Sequence, residues 1–243
     1  MDAGQDSVEP PWEPPVGAQD HERWHEQHSY DGGVEEDGGG QTASGDPLVA
    51  QGAFGPPGPV LVYLLRGRDR GSTFEATDPI NLIDVAISPL DGTGWGIGGD
   101  GVLYHQLADG TVVPVLNLHE YQQEDPDPVD QEGSPEESNP YGLAVLPDGD
   151  ALVADAAGND LIRISPDGNA TTMARFDLET ISTDHLPPEF GLPPEITAEA
   201  VPTSVAIGKD GAIYVGELKG FPFRPGTSHV WRIARMPTER PAR

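Results

Sequence analysis

From Asp78 to Trp231 the apolar positions fall in short runs of valine, isoleucine, leucine and alanine, and Asp-Gly or Pro-Asp-Gly interrupts them about every ten residues. Short runs bounded by turn residues predict strands and hairpins, because Asp-Gly supplies the positive φ that a tight hairpin needs. A sustained 3.6-residue apolar period is missing, so no long amphipathic helix is predicted. The exception is "NLHEYQQED" at Asn117–Asp125, which predicts one short turn of helix. The fold class read from this pattern is all-β.

The pattern also repeats. "LIDVAISPLDGTGWGIGG", "PYGLAVLPDGDALVAD" and "PTSVAIGKDGAIYVGE" align on Ala86, Ala144 and Ala206, at a period of about sixty residues. Each unit opens with a strand of small residues, turns at Asp-Gly, runs a second apolar strand and adds a third, ending in "YHQL", "IRIS" or "WRIA". The first two units add a fourth strand, "TVVPVLNL" and "NATTMARF". Four antiparallel strands per repeat is the sequence form of a β-propeller blade. In such a blade the first strand crowds the central channel, which suits Gly142, Ala144, Ser204 and Ala206. Middle strands such as "ALVA" and "AIYV" are buried on both faces.

Composition alters this picture at the amino terminus. Residues 1–77 are poor in apolar side chains and hold "EPPWEPP", "DGGVEEDGGG" and "FGPPGP", so they are expected to be a mostly disordered segment. The blades then span 78–235, and 236–243 form a tail. The chain carries 41 acidic against 13 basic residues and a net charge of -28, which repels nucleic acid and anionic membrane surfaces and favours cations. "PVLVYLL" at Pro59–Leu65 is too short to span a bilayer, so no membrane insertion is expected. The absence of cysteine removes thiol chemistry without fixing a compartment.

The wording of "SNPYGLAV", "LVADAAGNDLIRISPDG", "DPDPVDQEGSPEESNPYG" and above all "YVGELKGFPF" resembles the ScyD/ScyE family of secreted bacterial propellers, related to NHL-type propellers, over Asp78–Arg235. That resemblance implies the propeller fold, an extracellular location and no defined chemistry. It departs from the family where the amino-terminal third does not look like blades and where no further blade follows Arg235. An open arc of about three blades is therefore expected, from a truncated or partly out-of-frame gene, with edges free to self-associate.

Several constellations offer chemistry. "HERWH" at His21–His25, with His28 close by, has zincin spacing, but its surroundings give no core to hold a third ligand. The acidic run Glu120–Ser138 joins two blades, and Asp125, Asp127 and Asp130 in it are the carboxylates expected to wrap calcium; the plain reading is a solvated charge run. Tyr141, Thr203 and Ile83 share the column that opens the first strand, and Asp155 and Glu217 share the column that ends the second. The plain reading of the two acids is that they accept turn hydrogen bonds. His105, His185 and His229 read as exposed polar residues.

Calcium-dependent lactonases and streptogramin lyases resemble the chain at "GLAV..PDG" and "IA.G.DGA", but neither catalytic set carries over. The function expected is a non-enzymatic scaffold that binds a small-molecule or peptide ligand through Tyr141, Thr203, Asp155, Glu217, Phe221 and Phe223, with the two phenylalanines as anchors. The alternative is a calcium-dependent lactonase-like or lyase-like propeller enzyme.

Overall fold

The computed structural model describes residues 82–234 and, nearer the amino terminus, four strands: β1 (Glu36–Gln41), β2 (Pro47–Gln51), β3 (Leu61–Arg66) and β4 (Asp69–Glu75). These four pair in order as an antiparallel sheet. They lie inside the stretch whose composition predicts disorder, and glycine-rich β1, "EDGGGQ", carries no apolar alternation that would announce it. The motif "HERWH" and the tail 236–243 fall outside the described residues.

The three repeats form three further sheets with the strand counts expected. One holds β5 (Leu82–Ile87), β6 (Gly94–Gly98), β7 (Val102–Gln106) and β8 (Val112–Asn117). The next holds β9 (Pro140–Val145), β10 (Ala151–Asp155), β11 (Asp160–Ile164) and β12 (Ala170–Arg175). The last holds β15 (Ala200–Ile207), β16 (Ile213–Lys219) and β17 (Val230–Ile233). Between them, the connection expected to be a plain loop contains a hairpin, β13 (Glu179–Ser182) with β14 (Glu195–Ala198). The short helix is α1 (Leu118–Glu124), capped by the Asn117 carboxamide, which accepts from the backbone N–H groups of His119 and Glu120.

The first strands of the four sheets stand side by side in the order β1, β5, β9, β15, which is the arrangement of propeller blades around an axis. Among the described residues the row ends at β15 and the sheets do not close into a ring. Gly142 makes the contact between β9 and β15 possible: a Cβ there would lie 2.8 Å from the Ser204 Cα. Small residues in the first strand thus set how closely blades approach.

Strand β10 shows why the middle strands are apolar throughout. All five of its residues are buried. Ala151 and Val153 pack towards Trp95, Ile97 and Leu103 of the preceding sheet, while Leu152 and Ala154 pack towards Ile213 and Val215 of the following one. Alternate side chains point to opposite faces, and both faces are covered. Each large apolar side chain so buried contributes about 1.5–3 kcal/mol. The Asp-Gly turns are as the pattern requires: Gly149 and Gly211 sit at φ +96° and +74°. Among the described residues no helix is long and apolar enough to cross a membrane.

Candidate functional site on the loop face

The columns inferred from the repeat are physical positions. In each of the three described sheets the pairing of first with second strand slips by one residue, leaving Ile83, Tyr141 and Thr203 as the extra residue of a β-bulge. The residues of the second strand just beyond each bulge correspond as well: Asp155 pairs with Pro140, Glu217 with Pro202, and Gly98 with Leu82, although β16 continues two residues further, to Lys219. Asp155 and Glu217 are therefore equivalent residues of adjacent sheets, at the end from which the long connections rise. Tyr141 is exposed and Thr203 half-buried beside them.

Asp155 is fully buried and saturated. One carboxylate oxygen accepts from the Ser138 hydroxyl at 2.5 Å, and the other accepts from the backbone N–H groups of Asn139 at 2.7 Å and of Ala157 and Gly158 at 3.1 Å. Its role is the turn-accepting one. Glu217 differs. Its oxygens face the Lys219 ammonium at 2.7 Å, the Trp231 indole N–H at 2.6 Å and His229 Nδ1 at 3.2 Å, and Glu179 bridges Lys219 and His229 at 3.2 and 3.3 Å. Both Glu217 and Lys219 are buried, so this is an internal ion pair rather than a turn acceptor.

The acidic connection does not assemble Asp125, Asp127 and Asp130 into one metal site. Asp125 accepts from the Thr172 hydroxyl at 2.5 Å and pairs with Arg175 at 2.7 Å, and these contacts hold its carboxyl below the usual range. Asp127 is buried and accepts from the Asn159 carboxamide at 2.8 Å. Asp130 closes its own loop by accepting from the N–H groups of Gly133 and Ser134 at 2.6 and 2.9 Å. Each is spent on a different structural partner. Among the described residues no three histidine, aspartate or glutamate side chains are arranged to hold a metal ion.

Two carboxyls that the pattern alone did not single out carry the strongest electrostatic perturbation. Asp160, at the start of β11, has no exposed surface; burial and the charge of Asp155 push its carboxyl up to about 8. Asp84, on β5, accepts from its neighbour Val85 N–H and from Leu143 N–H of the next sheet, both at 2.8 Å, and burial raises it to about 7. An acid within the apolar run "LIDVAI" was a visible signal for Asp84. Asp160 had none, because its burial depends on α1 folding over the end of β11.

One of the three histidines departs from expectation. His105 is buried, stacked on Trp95 at 4.1 Å between ring centroids, and joined to the Thr93 hydroxyl at 2.8 Å; the Thr93 hydroxyl in turn donates to Asp91. Burial pushes its imidazole below the ordinary value. His185 and His229 are exposed, as expected; His185 lies 2.9 Å from the Pro222 carbonyl, and His229 stands at the edge of the ion pair.

Phe221 and Phe223 sit on the connection between β16 and β17. Both rings are exposed, 44% and 70%, and they pack edge to face at 5.8 Å. The loop beneath them is tied down. Pro222 carbonyl meets His185, the Arg224 guanidinium donates to the Ser182 carbonyl and pairs with Asp184, and the Thr227 hydroxyl donates to the Arg224 carbonyl. Phe223 is held at φ +54°, a region costly for an aromatic residue.

No protein-family model matches the chain, and no curated protein matches it. Solved structures similar to it include a catalytically inactive virginiamycin B lyase from Staphylococcus aureus with quinupristin, 14% identical with a TM-score of 0.45, covering 86% of this chain and 58% of that one. A luciferin-regenerating enzyme is 17% identical with a TM-score of 0.48, covering 85% and 62%. Regucalcin, a calcium-binding protein from Agrobacterium tumefaciens, is 17% identical with a TM-score of 0.45, covering 76% and 53%. The chain thus spans less than two thirds of the length of each. Its own fold is an all-β arrangement of antiparallel propeller-type sheets, open among the described residues.

Proposed function

We propose that the chain is a binding scaffold of the ScyD/ScyE type that takes a small-molecule or peptide ligand on its loop face, outside the cell. The observation that carries this reading is the Phe221–Phe223 pair. Two large apolar rings stay in water on a loop whose backbone is pinned from several sides, with Phe223 in a strained conformation. Strain and exposure together are expected where an aromatic surface serves recognition rather than folding. Tyr141 and Thr203, at their bulges, belong to the same ligand surface in this reading, with Asp155 holding a turn and Glu217 a buried ion pair behind it. The test is a screen of aromatic fragments and random heptapeptides against the full chain. Binders are expected that lose about tenfold or more in affinity when both phenylalanines become alanine. Binders indifferent to that change would place recognition elsewhere.

A second reading, a lactonase-like or lyase-like enzyme, is favoured by Asp84, whose carboxyl at about 7 on an innermost strand is poised as a general base. Hydrolysis of simple lactones that disappears in Asp84→Asn, with binding by the phenylalanines unchanged, would support this reading over the first.

A further inference from the structure

At the junction of α1 with the β10–β11 turn, three neighbouring side chains each bury an oxygen that no donor reaches. They are Gln122 Oε1, Asn159 Oδ1 and Asp160 Oδ1, on residues with at most 2% of their surface exposed. Two donations tie the cluster together: Gln122 Nε2 donates to Asp160 Oδ2 at 3.1 Å, and Asn159 Nδ2 donates to Asp127 Oδ2 at 2.8 Å. Those two donations orient both amides and direct their oxygens away from the donors' partners. The backbone makes room for this arrangement. A Cβ on Gly158 would lie 2.1 Å from Gln122 Nε2, so the amide lies in a cradle that any side chain at 158 would fill.

The charge around these oxygens is unbalanced. Asp155, Asp160, Asp127 and Asp125 meet near the junction, and the cation beside them is Arg175, whose Nη2 pairs with Asp125 while its buried Nη1, without a hydrogen-bond partner, stands 4.0 Å from Asp160 Oδ2. Buried oxygens without donors, in a negative setting, are what a hard cation replaces water with. We propose that Gln122, Asn159 and Asp160 hold a calcium-type divalent cation, bound through their unpartnered oxygens inside the loop face of the β9–β12 sheet. Two of the three donors are amides, so the site does not depend on a cluster of three carboxylates. It is also separate from a loop site built on Asp130, whose oxygens are spent on backbone N–H groups.

The experiment is calorimetric titration of chelator-treated full-length chain with calcium chloride, followed by thermal melting with and without the ion. One equivalent of calcium and a raised melting temperature are expected. Asp160→Asn and Gln122→Met should each weaken binding about tenfold or more, whereas Asp130→Asn should leave it unchanged. If Asp160→Asn fails to fold without calcium, Gln122→Met carries the same comparison. No binding up to about 10 mM, beyond the weak end of protein calcium sites, would overturn the proposal. So would undiminished binding by the Asp160 and Gln122 variants, or binding abolished by Asp130→Asn.

Discussion

Asp155 and Glu217 occupy one position in successive sheets, each opposite the proline that precedes the bulge of its first strand, yet they stabilise that position by opposite means. Asp155 gathers one hydroxyl and three backbone N–H groups around a buried charge. Glu217 sits in an ion pair with a lysine that is also buried. Shared place does not mean shared chemistry, and the two sites should respond differently to mutation.

Asp155→Ala should leave those four donors without the buried carboxylate that they share. A buried donor left unsatisfied costs about 1–3 kcal/mol, and neighbouring costs are not additive, so a loss of about 3–5 kcal/mol is expected. Urea denaturation measures it. A change below about 1 kcal/mol would mean the loop reorganises around other acceptors.

Lys219→Met should cost about 3–5 kcal/mol, because it leaves the Glu217 carboxylate buried with only Trp231 and His229 as partners. The double replacement Glu217→Gln with Lys219→Met should recover most of that loss, since exchanging a whole buried pair is often neutral. A double mutant as unstable as the single one would show that the pair holds the loop for reasons beyond charge.

Asp84 makes a prediction about pH. Its carboxyl is raised from 3.8 to about 7, so between these values the folded chain keeps a proton that the unfolded chain releases. The contribution is fully present below about pH 4 and is lost as pH rises through 7. At about 1.4 kcal/mol per unit the effect is on the order of 2–4 kcal/mol. Stability measured from pH 4 to 8 should fall more steeply for the native chain than for Asp84→Asn. Parallel profiles would show that Asp84 is not desolvated in solution.

Among the described residues the three-stranded sheet ends at β17, where Val230 is 72% exposed. Such an edge pairs with other strands, so the chain should self-associate in a concentration-dependent way, and Val230→Lys should reduce it. Light scattering over a concentration series distinguishes the outcomes. A monomer at every concentration would mean the edge is covered.

The repeat was readable because two local rules fixed it. Asp-Gly marks each hairpin, and strand alternation between consecutive marks leaves one register, so Ile83, Tyr141 and Thr203 fall in one column of the repeat. What was not readable depended on contacts distant in sequence. His105 looked exposed because its partner Trp95 lies across a strand pair. Asp160 looked like an ordinary turn acid because nothing in its own strand says that Gln122 will cover it. The sheet β1–β4 was hidden by a composition whose glycines mask strands.

The bulges at Ile83, Tyr141 and Thr203 divide labour within each first strand. A residue outside the ladder register can change identity without breaking the pairing of its neighbours, so these three positions form a vocabulary that selection can rewrite while the scaffold stays still. Isoleucine, tyrosine and threonine at equivalent places already differ in size and polarity. Relatives of this protein with the same sheets could therefore recognise unrelated molecules, and the identity of these three residues is where that divergence should first be sought.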